Sequence, residues 1–202
     1  MIRIAALGGS LRAGSVSAQA LRACAARARG AGAQVTVVAG RDLVLPLYDP
    51  DGGIRTAEES RLLATLRAAD GVLLASPTYH GGMSGLMKNV LDHAEDLAHD
   101  TPAYLDGRAV GCITVAWNEV AGASALAGMR ASVQALRAWA APMGVVVGAD
   151  ATFDLRDGEG YGTDPRTARR LDILTDQVLD FARMRAGHTT SVPAPPPLEP
   201  AI

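Results

Sequence analysis

The stretch Met1–Ser17, MIRIAALGGSLRAGSVS, sets the strongest limit on the fold. Ile2, Ile4, Ala5, Ala6 and Leu7 form an apolar run that stops at Gly8-Gly9, and an alanine-rich amphipathic segment begins at Val16. The pattern is strand, small-residue loop, helix. The loop between them presents Ser10, Arg12, Ser15 and Ser17. The first turn of a helix leaves backbone N–H groups without partners, so such a loop suits an anion, above all a phosphate.

The residues of the loop narrow the kind of phosphate. Gly9, Gly14 and Ser15 nearly spell a nucleoside-triphosphate loop, but its lysine is missing, and Val16 follows where a magnesium-binding hydroxyl is needed. There is no G-x-G-x-x-G dinucleotide turn either. Several hydroxyls and one arginine suit a terminal phosphate monoester held without metal, with Arg12 supplying charge-assisted hydrogen bonds. The plainer alternative is an ordinary strand-to-helix turn with a serine cap.

The rest of the chain repeats the alternation. A helix over Val16–Arg29 carries the apolar stripe Leu21, Cys24, Ala25 and Ala28, and a β-branched strand follows at Gln34–Ala39. After a loop with Pro46 and Pro50, Thr56 and Glu59 form a candidate capping box for a helix reaching Ala69. Val72–Ala75 reads as a short strand buried on both faces. The stretch SPTYHGGMSGLMKNVLD (76–92) is the second informative one. Pro77 and Gly81-Gly82 predict that strand gives way to loop here, and Ser84 caps the next helix. Ala109–Ala116 is a strand, Trp117–Gly122 a loop, and Ser124–Ala140 a helix stopped by Pro142. Val145–Val147, extended toward Phe153, is a fifth strand, and Asp154–Thr163 a polar loop. Asp164 and Pro165 open a last helix running to Met184.

Five strands alternating with five helices predict an α/β fold: a flavodoxin-like three-layer sandwich, with a five-stranded parallel sheet in the order 2-1-3-4-5 and helices on both faces. The expected domain is 1–186, and 187–202 is a Pro-rich tail. In this order the switch point lies between strands 1 and 3, and the loops after those strands are the two informative stretches. Flavin mononucleotide (FMN) fits this crevice. Its phosphate is expected at Ser10, Arg12, Ser15 and Ser17, and its ring along Pro77, Thr78, Tyr79, His80, Gly81 and Gly82, mostly through backbone groups. For Tyr79, packing against the fold and contact with a ring both stay open. His80 either hydrogen-bonds a flavin or caps its loop.

Composition removes other classes. Formal net charge is −2 with the two signs interspersed, so no nucleic-acid face or polybasic membrane patch is expected. Cys24 and Cys112 lie among apolar neighbours as buried free thiols, which suits a reducing cytoplasm. No apolar run is long enough to span a bilayer. His93, Asp96 and His99 read as a solvated helix face and not as a metal site. Lys88, the single lysine, reads as half of a structural ion pair.

At the two informative stretches the chain resembles the NAD(P)H-dependent FMN reductase family of flavodoxin-like proteins. The first family pattern falls on Gly9, Ser10, Arg12, Ser15 and Ser17. The second falls on Ser76, Pro77, Tyr79, His80, Gly81, Gly82, Gly85, Met87, Lys88, Asn89 and Asp92. A third falls on Phe153, Asp154, Thr163, Asp164 and Pro165, so the likeness covers about residues 2–184. His80 stands where the family more often has asparagine, and Trp117-Asn118-Glu119 where it often has glycines. The resemblance implies hydride transfer from NADH or NADPH to bound FMN and on to an acceptor such as free flavin or a quinone, with no catalytic side chain required. It also implies a homodimer or homotetramer, for which the helices after strands 3 and 4 are the natural contact surface. A flavodoxin-type electron carrier without NAD(P)H oxidation is the alternative. Such carriers are strongly acidic, and this chain is not.

Overall fold

The computed structural model describes residues 1–12, 14–156, 159–162 and 164–188. Its strands are β1 (Arg3–Gly8), β2 (Gln34–Ala39), β3 (Gly71–Tyr79), β4 (Gly82–Met83), β5 (Ala109–Ala116), β6 (Trp139–Ala140), β7 (Val145–Gly148), β8 (Phe153–Arg156) and β9 (Glu159–Gly162). Its α-helices are α1 (Val16–Gly30), α2 (Ala57–Ala68), α3 (Gly85–Asp92), α4 (Glu119–Ala135) and α5 (Pro165–His188).

The main sheet is parallel in the order β2-β1-β3-β5-β6, and β7 pairs with β5 beyond β6. β6 and β7 together act as one interrupted fifth strand, so the expected order 2-1-3-4-5 holds. Residue parity along each central strand divides the core in two. Ala5, Leu7, Val72, Leu74, Val110 and Cys112 face α2, α3 and α4, where Leu62, Leu66, Val90, Met129 and Val133 complete one cluster. Ile4, Ala6, Leu73, Ala75 and Ile113 face α1 and α5, where Leu21, Cys24, Leu171, Leu174 and Val178 complete the other. Strands buried on both faces with helices on each side are the three-layer sandwich predicted from the sequence.

Several boundaries differ from the sequence reading. β3 does not end at Ala75 but continues through Pro77 to Tyr79. The Ala75 carbonyl oxygen accepts from Gly9 N–H, so residues 75 and 77 turn their backbone groups toward β1. β1 has run out opposite Ala75, and the amide hydrogen that Pro77 lacks would have had no ladder partner.

The fourth helix begins at Glu119 because Asn118 Oδ1 accepts from the N–H groups of Val120 and Ala121. It ends at Ala135, well before Pro142. There Arg137 takes φ +60°, Ala138 N–H bonds Val133 O and Arg137 N–H bonds Gln134 O. This is a Schellman ending built on arginine instead of glycine, and it leaves Trp139-Ala140 free to join the sheet.

The fifth strand stops at Gly148, and the polar stretch expected as a loop pairs as the antiparallel hairpin β8–β9 against α1. The last helix passes Met184 and includes Gly187 and His188. Its start is as expected, with Asp164 accepting from Arg166 and Thr167 N–H. The remainder of the Pro-rich tail, 189–202, lies outside the described residues.

Candidate functional site

The loops after β1 and β3 meet at the carboxyl end of the sheet, on either side of its switch point. The first leaves Gly9 buried against α3: a Cβ there would stand 2.8 Å from Met87 Cβ and 2.9 Å from Ser84 Oγ. Only glycine allows that approach. Ser15 caps α1, its hydroxyl accepting from Ala18 N–H at 3.2 Å, and lies 3.2 Å from the buried Ser17 hydroxyl. No acidic residue stands in the first turn of α1, so the positive end of that helix is uncompensated. Ser10 is half-buried and its hydroxyl accepts from Arg12 N–H. The Arg12 side chain is exposed, and among the described residues its guanidinium has no acidic partner.

The second loop is a hairpin. Thr78 pairs with Met83 and Tyr79 with Gly82, leaving His80 and Gly81 as a two-residue turn. Both take positive φ, 51° and 79°, the geometry of a type I′ turn whose twist matches the strands it joins. Histidine shares with asparagine a several-fold enrichment in this region of backbone space, which accounts for His80 at the tip. Tyr79 is 59% exposed, so the packing reading of this residue is overturned. The Thr78 hydroxyl is buried with no hydrogen-bond partner among the described residues.

A buried chain of serine hydroxyls joins the two loops. Ser84 N–H donates to Ser76 Oγ at 2.9 Å, and the two hydroxyls lie 3.3 Å apart. The Ser84 hydroxyl also accepts from Met87 N–H as the cap of α3 and donates to Gly9 O at 2.7 Å. Exposed apolar side chains follow the carboxyl ends of the strands: Leu11 after β1, Leu47 after β2, Tyr79 at the end of β3, and Trp117 and Val120 after β5. Trp117, after β5, is 86% exposed.

The loop after β2 is fastened by side chains that the sequence reading did not connect. Asn89 of α3 accepts from Tyr48 N–H and donates to Pro46 O. Arg55 grips Asp96 with two nitrogens, at 2.7 and 2.9 Å, and Tyr48 OH donates to the same carboxylate. His93 is wholly buried, with Nε2 3.1 Å from Pro46 O and Nδ1 3.5 Å from Glu59 Oε1. His93 and Asp96 therefore belong to a structural network, and the expected solvated face is corrected. The sequence shows the Thr56–Glu59 capping box, but the His93 that faces Glu59 lies 34 residues further along the chain. Lys88 pairs with Asp92 as expected. Burial pushes the Cys24 and Cys112 thiols up to about 12, so neither is a nucleophile at neutral pH.

The family described as NADPH-dependent FMN reductase matches residues 2–152. The chain belongs to that family. An NADPH azoreductase of a Bacillus strain is 36% identical over 118 residues, 57% of this chain and 60% of that protein. An FMN-dependent NADPH-azoreductase of Staphylococcus haemolyticus is 30% identical over 115 residues, 56% of this chain and 57% of that one. The matched region thus spans less than two thirds of these relatives. A flavoenzyme NAD(P)H:(acceptor) oxidoreductase from Paracoccus denitrificans shares the fold, with a TM-score of 0.65 at 20% identity over 92% of this chain and 99% of that one.

The residues present fit the family's flavin. The uncompensated end of α1, the serine hydroxyls and Arg12 suit a phosphate, and the Thr78 hydroxyl has no hydrogen-bond partner among the described residues. The glycine-bearing hairpin turn leaves room for a flat ring to approach backbone.

Proposed function

We propose that this protein is an FMN-dependent NAD(P)H oxidoreductase passing electrons to a flat aromatic acceptor: free flavin, a quinone, or an azo compound of the kind named for its relatives. The observation that carries the reading is the fastening of the phosphate-suited loop to the ring-suited hairpin through Ser84 and Gly9. When bound, FMN supplies two-electron exchange between NAD(P)H and the acceptor. The chain's own part is to hold and orient it. Ser10, Arg12, Ser15 and Ser17 grip the phosphate. Pro77, Thr78, Tyr79, His80, Gly81 and Gly82 line the ring, with Thr78 Oγ1 free to bond it. The exposed Tyr79 and Trp117 rings offer apolar faces where a flat substrate can stack.

The open site and its apolar rim support a homodimer or homotetramer. Val120 and the small residues Ala123, Ala127 and Ala131 expose one face of α4 beside Trp117. Large exposed apolar patches of this sort mark interaction surfaces. No described helix is long and apolar enough to cross a membrane, and the two buried thiols suit the cytoplasm.

Steady-state oxidation of NADPH and NADH by the FMN-loaded protein, with each acceptor in turn, tests the proposal. Turnover with at least one acceptor is expected. FMN binding without NAD(P)H oxidation would instead make the protein an electron carrier. Light scattering at micromolar concentration tests assembly, and a monomer would refute it.

A further inference from the structure

We propose that His93 is a protonation-operated latch that holds the loop after β2 against α3. Among the described residues, two buried side-chain polar atoms lack a hydrogen-bond partner, Thr78 Oγ1 and His93 Nδ1. Thr78 stands in the candidate site, whereas His93 closes the far end of α3. A buried polar atom left unpaired costs stability.

The surroundings of the ring call for a second proton. The Pro46 carbonyl oxygen can only accept, so Nε2, 3.1 Å away, carries a hydrogen. Nδ1 lies 3.5 Å from Glu59 Oε1. A neutral ring would turn the unshared pair of Nδ1 toward that carboxylate. An imidazolium turns an N–H toward it instead, and both nitrogens then face acceptors. Glu59 is held below its usual range chiefly by the Thr56 N–H, so its carboxyl does not supply the hydrogen. Charge agrees. The ionisable groups around the ring are Glu59 of α2, Asp96 in the 3-10 turn that continues α3, and Arg55 and Tyr48 from the loop. Arg55 alone sets one cation against two carboxylates, and the imidazolium makes two of each. Lys88 and Asp92 form their own exposed pair, and Glu95 accepts from Tyr104.

The loop responds because the same few atoms fasten it. Asn89 donates to the Pro46 oxygen at 2.8 Å and accepts from Tyr48 N–H at 2.9 Å. The Tyr48 ring meets the His93 ring edge-on, with centroids 5.4 Å apart. A ring that loses its proton sets an unshared pair against Glu59 and loosens Pro46 and Tyr48 from α3. β2 pairs with β1, so this loop neighbours the phosphate-suited one, and α3 also carries the Ser84 anchor. The latch is closed while the ring is protonated and opens as pH rises through the ring's titration.

Long-range proton–nitrogen NMR of the 15N-labelled full chain, from about pH 5 to about pH 9, tests the proposal. The histidines are His80, His93, His99 and His188, and His93 is assigned by the signal missing from His93→Gln. Both His93 nitrogens should carry hydrogen at the acid end, and Nδ1 alone should lose it at the alkaline end. Hydrogen exchange at Tyr48 N–H, corrected for its intrinsic rate, should quicken about tenfold over the same titration. In His93→Gln this corrected rate should be flat across the series. Glu59→Gln keeps an acceptor for the capping box, and in it the His93 midpoint should fall by about one pH unit. A His93 ring in one protonation state throughout would overturn the proposal. So would a midpoint that Glu59→Gln leaves in place, or Tyr48 protection that does not follow the ring.

Discussion

The Ser84 hydroxyl donates to the Gly9 carbonyl oxygen at 2.7 Å, so the cap of α3 also anchors the loop after β1. One buried atom thereby fixes the spacing between a helix end suited to phosphate and a hairpin suited to a ring. Replacing it disturbs both at once. Ser84→Ala should lower stability by about 1–3 kcal/mol, combining a lost cap with a buried carbonyl left unpaired. It should also weaken FMN binding. Urea denaturation and flavin titration check the two effects, and unchanged values in both would remove the anchoring role.

Arg12 offers the one cation in the first loop, and charge-assisted hydrogen bonds to phosphate are among the stronger ones. Arg12→Ala should weaken FMN binding about tenfold to a hundredfold, the equivalent of roughly 1.5–3 kcal/mol. Riboflavin, which has no phosphate, should bind the variant and the parent alike. Equal losses for both flavins would show that Arg12 shapes the loop and does not hold the phosphate.

The hairpin tip rests on backbone conformation. His80 at φ 51° is a position asparagine tolerates and a β-branched residue does not. His80→Asn should preserve stability and flavin affinity. His80→Val should cost about 1–3 kcal/mol and reduce affinity with it. Thermal melts of the two variants, with and without FMN, separate these outcomes.

The network beneath the loop after β2 makes stability depend on pH. Glu59 is held below its usual range chiefly by the Thr56 N–H, with its cap hydroxyl, His93 and Arg55 adding. Asp96 is held below its range chiefly by hydrogen bonds from Arg55. A carboxylate with a lowered folded-state pKa stabilises the fold above its unfolded value, and that stability is lost as pH falls through the folded one. The urea midpoint should therefore drop from about pH 5 downward. Asp96→Asn should be less stable at pH 7 but show a shallower acid limb. Parallel acid limbs would contradict this.

Sequence alone carried the sheet order and the two loops, because strand periodicity, capping residues and glycine positions are local signals. Gln34–Ala39 and Ala109–Ala116 were legible to the residue. What was missed depended on long-range geometry. Pro77 continues β3 only because β1 has already ended beside it. Arg137 ends α4 in a conformation more usual for glycine, and no composition signal marks it. His93 is buried because Pro46 and Glu59, distant in sequence, close over it.

We propose that the loops after β1 and β3 form one FMN site through which NAD(P)H is oxidised. The visible spectrum of the protein with FMN, followed by anaerobic NADPH and NADH, tests it most directly. A bound-flavin spectrum that bleaches with either nucleotide is the predicted result. Absence of flavin binding would contradict both loop assignments, and bound flavin that neither nucleotide bleaches would contradict the oxidoreductase.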